Sequence, residues 1–123
     1  MNKRIFYLTS TAILVLEMTA GASMDLARTP HAVEDVRSLG YPIYVLLILG
    51  VWKALAVVAL LWPRLPRLRE WAYAGVFFEM FGAVESHILA GDRVGKYAVP
   101  LAFTFLTLLS WWFQPDPWNR SRR

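Results

Sequence analysis

The chain has 123 residues, 57% of them hydrophobic, with a mean hydropathy of +0.40 and a formal charge of +4. That length allows one domain, and a soluble domain of this size could not bury four apolar blocks like those present, so an integral membrane protein is expected. There is no cysteine, which excludes disulfides, thiolate metal sites and a catalytic dithiol, while the basic residues gather at the ends of apolar runs rather than in a patch for nucleic acid.

Lys3 and Arg4 precede the first apolar run, residues 5–24, which Glu17 interrupts. This start mimics a secretory leader, with a basic beginning, an apolar core and Ala20-Gly21-Ala22. Apolar residues nevertheless continue to Met24, and Glu17 stands where a cleavage region stays uncharged, so the run is expected to be kept as a span. Residues 25–40 form a mixed-charge connection in which HAVEDVR fits a short surface helix and His31 reads as a solvated residue. The second run, 41–62, ends against Pro63, which stops a helix. The basic elbow PRLPRLRE, 63–70, is short enough only for an antiparallel hairpin of two spans. The third run covers 71–90, the segment GDRVGK makes a polar turn, and the fourth run covers 97–114. That last run carries no formal charge, and Pro100 suits its first turn. The tail PDPWNRSRR is polar and expected to fray.

These runs imply an all-α fold, a transmembrane four-helix bundle with antiparallel neighbours. Both termini are expected to be cytoplasmic. That orientation puts Lys3, Arg4, Arg64, Arg67, Arg69, Arg120, Arg122 and Arg123 inside, against Arg28, Arg37, Arg93 and Lys96 outside. It also places Trp62, Trp71, Trp111, Trp112 and Trp118 near the inner ends of the spans, where an aromatic belt belongs; Trp52 lies at mid-span.

Ionisable groups within spans are functional candidates. At about 1.5 Å of rise per residue, Glu17, Lys53 and Glu79 lie roughly 18, 14 and 12 Å from the inner ends of their spans, so three helices deliver them to a similar level. Glu85 and His87 sit higher, roughly 21 and 24 Å up. At 100° per residue, Ala72, Gly75, Gly82, Ala83 and Ser86 fall within about 60° of Glu79, with Tyr73, Phe77, Met80, Phe81, Val84 and Ile88 on the other side. A small-residue face is what helix contact in lipid uses, so Glu79 is expected to face protein. Ser10, Glu17 and Gly21 share a side of the first span, and Gly50 lies close in phase to Lys53. Glu85 and His87 flank the Glu79 face and should border a cavity or the outer headgroups.

Two readings of Glu17, Lys53 and Glu79 stay open. One is a buried ion network that fixes helix register. The other is a catalytic or ligand-binding site in which the surplus carboxylate holds a proton. In the second reading Glu85, Ser86, His87 and Trp52 are the ligand-binding candidates. No metal is expected. Glu85 and His87 are spaced i, i+2 rather than the i, i+3 of di-iron bundles, and a haem would need a second ligand besides His87. No phosphate loop or nucleophile motif is present.

The stretches LGYPIYVLLILGVWK, ALLWPRLPRLREWAYAGVFFEMFGAVESH and LAGDRVGK resemble the DoxX-like family of small four-span bacterial membrane proteins. The matching positions are Tyr41, Pro42, Gly50, Lys53, Pro63, Glu70, Trp71, Ala72, Tyr73, Gly75, Gly82, Ser86, His87, Gly91 and Asp92. The resemblance implies a left-handed four-helix transmembrane bundle in the bacterial inner membrane. The family takes its name from a subunit of an archaeal thiosulfate:quinone oxidoreductase, and relatives appear as membrane partners in redox-stress complexes. Glu17 and Glu85 depart from the family pattern, and both enlarge the polar constellation.

Three functions follow as expectations. The first is an accessory subunit in the lipid bilayer that presents a quinone or other apolar ligand to an oxidoreductase partner, with no cofactor on the chain itself. The second is a cofactor-free enzyme for isomerisation, cyclisation or epoxide opening of an apolar small molecule, with Glu17 and Glu79 as acid and base and Lys53 holding one of them ionised. The third is a structural or chaperone-like membrane scaffold, with the charges serving assembly alone.

Overall fold

The computed structural model describes residues 2–62 and 64–115. Five helices follow one another: α1 (Lys3–Leu26), α2 (Pro30–Ser38), α3 (Val45–Leu61), α4 (Pro66–Leu89) and α5 (Val94–Phe113), and the described residues contain no strand. The polar tail from residue 116 with Trp118, Arg120, Arg122 and Arg123, and the helix stop at Pro63, lie outside the described residues.

Local sequence explains where the helices begin. The Asn2 side chain accepts from the Arg4 N–H at 3.1 Å and caps α1. Thr29 caps α2, with Pro30 at the first helical position where its missing N–H costs nothing. Pro66 does the same for α4, which therefore starts five residues before the expected 71 and shortens the basic elbow. The second run behaves differently. Gly40 is left-handed, Pro42 follows it, and α3 starts only at Val45 instead of 41. The helix α5 starts at Val94, three residues before the expected 97, so Pro100 stands inside it instead of in its first turn.

Three helices end in the same way. The N–H groups of Thr29, Tyr41 and Asp92 reach back to the carbonyls of Met24, Val36 and His87, at 3.1, 3.0 and 3.0 Å. Each closure needs a left-handed residue just after the helix, supplied by Arg28, Gly40 and Gly91 with φ of 52°, 84° and 79°. The closure of α1 also corrects its expected end. The helix runs two residues past 24 and includes Asp25, which becomes a residue of its last turn instead of a loop residue.

Each of the four long helices packs against two others: α1 on α3 and α5, and α4 on α3 and α5. The main core joins Leu14 and Met18 of α1, Leu60 of α3, and Tyr73, Val76 and Met80 of α4, with Phe103 and Leu106 of α5 against it. Small residues set the α1–α3 approach. A Cβ on Gly50 would stand 2.7 Å from Leu26 Cγ and 3.3 Å from Asp25 Cβ. The short α2 lies against α3 through Ala32, Val36 and Leu46.

The small-residue face of α4 is not a helix contact. Added Cβ atoms on Gly75 and Gly82 would meet nothing within 4 Å, and the face that packs carries Tyr73, Val76, Met80, Val84 and His87. Bulky side chains fill the interior, while the glycines leave a hollow. Of the four expected spans, α1 and α5 are long and apolar enough to cross a membrane; α3 is apolar but 17 residues long.

At the end of the molecule away from α2, hydroxyl groups tie three helices together. Ser110 of α5 hydrogen-bonds to Thr11 of α1 at 2.6 Å and to Tyr73 of α4 at 2.9 Å. All three residues are buried. Ser110→Ala strands two buried hydroxyls and should cost about 1–2 kcal/mol. Thr107→Val, which removes only a bond to the carbonyl of Phe103 in the same helix, should cost less than half of that. Thermal melts in detergent read the difference, and equal losses would contradict the cross-helix role.

Candidate functional site

A cavity of about 840 Å³ is lined by residues of all five helices. It receives the C-terminal parts of α1 and α4 and the N-terminal parts of α3 and α5, and α2 borders it through Ala32, Asp35 and Val36. Its walls are mainly apolar, with Leu46, Leu49, Phe78, Met80, Val99 and Phe103 among them. Such a volume and lining suit a small organic molecule.

Charged side chains meet at one part of this wall. Lys53, halfway along α3, places Nζ 2.7 Å from Asp25 Oδ2 and 3.4 Å from Glu79 Oε1. The three side chains are 15, 10 and 16% exposed, so the pairs are held largely out of solvent. Gly21 makes the room. A Cβ there would come within 3.2 Å of both Cδ and Nζ of Lys53, so the lysine stem crosses α1 at the one residue of that turn lacking a side chain. Glu17 lies on the same cavity wall, and among the described residues no side chain donates to it.

The expected trio is thus brought together, but with a different closest partner. Asp25, and not Glu17, stands beside Lys53. The spacing holds the signal: residues 17, 21 and 25 follow i, i+4, i+8 and share one face of α1. Assigning Asp25 to the connection hid it.

A second polar group lies toward α2. Closure of α4 at Gly91 brings Asp92 back over the helix end, and His87 Nδ1 lies 2.8 Å from Asp92 Oδ2. A carboxylate only accepts, so Nδ1 carries the proton. The other ring nitrogen stands 3.9 Å from Asp35 Oδ1 of α2. His87 is buried and lines the cavity, the first of the two positions expected for it. Ser86 donates to the Gly82 carbonyl at 2.8 Å and bonds the Tyr41 hydroxyl at 2.7 Å.

Of the remaining ligand-binding candidates, Trp52 lines the cavity and is 58% exposed, which places it at the opening. Glu85 does not line it. The residue is exposed, about 120° around α4 from Glu79, so it adds nothing to the polar constellation.

A long apolar helical chain whose charged groups converge inside a cavity fits a small helical membrane protein. The DoxX-like family model matches residues 9–110, and the chain belongs to that family. No curated protein and no solved structure matches it.

Lys53 is the group whose loss the site should tolerate least. Lys53→Met leaves Asp25 and Glu79 without their shared cation, and breaking such a buried pair costs about 3–5 kcal/mol. The triple variant Asp25→Asn, Lys53→Met, Glu79→Gln removes the stranded charges as well and should regain much of that loss. Denaturation in a mild detergent measures both. A Lys53→Met protein as stable as the parent would mean that the ion pairs hold nothing.

Proposed function

We propose that this chain crosses the bacterial cytoplasmic membrane four times, with both termini inside. In the cavity it binds an apolar small molecule of the quinone class, and as an accessory subunit it presents that molecule to a redox partner. The observation that carries the reading is the cavity itself: an apolar chamber that ends in the Asp25–Lys53–Glu79 ion pairs. An apolar ring system fits the walls, and the paired charges give its polar end a fixed hydrogen-bonding surface.

Four spans accord with the outer surface. Each long helix turns a large apolar side chain outward: Leu16, Leu55, Phe78 and Phe105 are 61–70% exposed. An apolar surface on every side of a helical protein fits lipid. At about 1.5 Å per residue, α3 alone reaches roughly 26 Å, near the thickness of the hydrocarbon core. The orientation rests on Lys3, Arg4, Arg64, Arg67 and Arg69 at the end opposite α2. Trp52 of α3 and Phe78 of α4 both line the cavity and are more than half exposed. A ligand dissolved in the bilayer would enter between these two helices.

Glu17 favours a second reading, acid–base catalysis on the bound molecule. A cavity carboxylate without a donor beside carboxylates held by a lysine supplies unlike proton acceptors in one chamber.

Purification in native lipid followed by mass spectrometry tests the first reading. The expected result is a retained quinone or related apolar molecule, together with an oxidoreductase. Gly82→Phe sharpens the test, because an added Cβ at Gly82 meets open space and the new ring should fill the cavity without a clash. The variant should lose the small molecule by at least about tenfold and melt no lower than the parent. Retention of the molecule by Gly82→Phe would place its binding elsewhere. Catalysis would show instead as Glu17→Gln protein that keeps the molecule but no longer converts it.

The absence of cysteine allows a clean check of topology. Single cysteines placed at Glu34 and at Arg67 should react with a membrane-impermeant maleimide from opposite sides of the membrane, Glu34 from outside. Labelling of both from one side would overturn the four-span arrangement.

A further inference from the structure

The polar part of the cavity holds more hydrogen-bond acceptors than donors. Glu17, Asp25 and Glu79 each bring two carboxylate oxygens. Lys53 reaches one oxygen of Asp25 and one of Glu79. Among the described residues, no side chain donates to the other oxygen of either residue, nor to either oxygen of Glu17. Neighbouring groups do not supply the deficit at the ion pairs: the further donors on the wall, His31, Trp52 and Lys96, belong to exposed residues at its opening. His87 gives its Nδ1 proton to Asp92, Ser86 gives its proton to the Gly82 carbonyl, and Tyr41 is bonded to Ser86. Asp35, also on the wall, adds a further carboxylate whose nearest ring nitrogen is 3.9 Å away. A proton on one carboxyl converts one acceptor into a donor and leaves the rest as acceptors.

Water satisfies such groups while the cavity holds no ligand. A molecule that displaces the water must replace its hydrogen bonds or lose affinity. Burying a carboxylate oxygen with no donor is costly, so the requirement is steep. A ligand whose polar end only accepts finds one free donor at the ion pairs, the third proton of Lys53, and would have to leave that end of the cavity to reach Trp52 or Lys96 at the opening.

We infer that the molecule held in this cavity donates hydrogen bonds from its polar end, through hydroxyl groups. Within the quinone class the cavity therefore selects the reduced quinol over the oxidised quinone. This rests on the reading of the cavity as the site of an apolar ligand, and it adds which redox form that ligand takes when bound. The protein then acts where a quinol is delivered or withdrawn, opposite a partner that oxidises or forms one.

Three probes on one carbon skeleton separate the terms: a short-chain benzoquinol, the matching benzoquinone, and the dimethyl ether of the quinol. Binding is measured without oxygen to the full chain in lipid nanodiscs, with protein-free nanodiscs subtracted. The quinol should bind at least about tenfold more tightly than the quinone or the ether, a difference of about 1.4 kcal/mol. Quinone or ether binding as tight as quinol binding overturns the inference and leaves the cavity reading standing. If none of the three binds above the lipid background, the cavity reading fails and the inference fails with it. Glu17→Gln, checked by its thermal melt, replaces a carboxylate by a group that both donates and accepts. It should narrow the quinol preference severalfold; an unchanged preference would overturn the assignment of Glu17 to the acceptor set. The comparison among probes on the parent protein stands even if this variant does not fold.

Discussion

The contact of Lys53 with Asp25 and Glu79 joins three helices through one side chain. Its ammonium cannot stand alone away from water, and neither can the two carboxylates. The lysine stem lies across Gly21, and Gly50, one turn before Lys53 on α3, lets α1 come close enough for Asp25 to reach. Helix approach and ion pairing are therefore coupled. Without the glycines, α1 would stand off and leave the cation short of a partner. Without the ions, the space at Gly21 would be a void. Net stabilisation by buried ion pairs is small in general, so their value here lies in fixing the relative positions of α1, α3 and α4.

The two ends of the molecule show how polar groups can be used in opposite ways. At the end away from α2, Thr11, Tyr73 and Ser110 are buried and bonded across helices, and Glu70 accepts from Trp111 at 2.7 Å and from the Gln114 side chain. Space there is filled, and these donors meet acceptors, while Arg69 Nε and Gln114 Oε1 are buried beside them without a partner. At the α2 end, the glycines at 75 and 82 withhold side chains, and carboxylates outnumber their donors. A polar group with a partner makes a joint. A polar group without one in an open chamber makes a site.

Much of this was legible in the residues. Apolar runs located the four long helices, and HAVEDVR marked the short one between the first two. Charges within apolar runs picked out Lys53 and Glu79, because an ion in such a run demands a partner. What was not legible depended on tertiary closure. Asp25 looked like a loop residue because apolar composition stops at Met24, yet helical hydrogen bonding continues for two residues beyond it. Asp92 was invisible as a partner of His87, since only the reversal at Gly91 folds it back. The α4 face of small residues was misread for a different reason. Small side chains permit either close helix contact or a cavity, and periodicity alone does not distinguish them. The bulky Tyr73, Val76, Met80 and Val84, centred about 100° around the helix from Glu79, decided it by taking the core.

The same competition explains why the cavity survives. A helical protein closes hollows wherever apolar side chains can reach each other, because an empty apolar space loses contact energy on every wall. Here α1 and α4 cannot close further at the α2 end. Glu17, Asp25 and Glu79 all line that space, and pressing them together would crowd like charges with a single lysine between them. The Asp35, His87 and Asp92 group lies along the side of the cavity toward α2, with 3.9 Å between His87 Nε2 and Asp35 Oδ1. The charges that make the chamber polar are thus also what keeps it open, so neutralising them together would shrink the space as well as change its chemistry. Size and selectivity of this cavity are set by one group of residues.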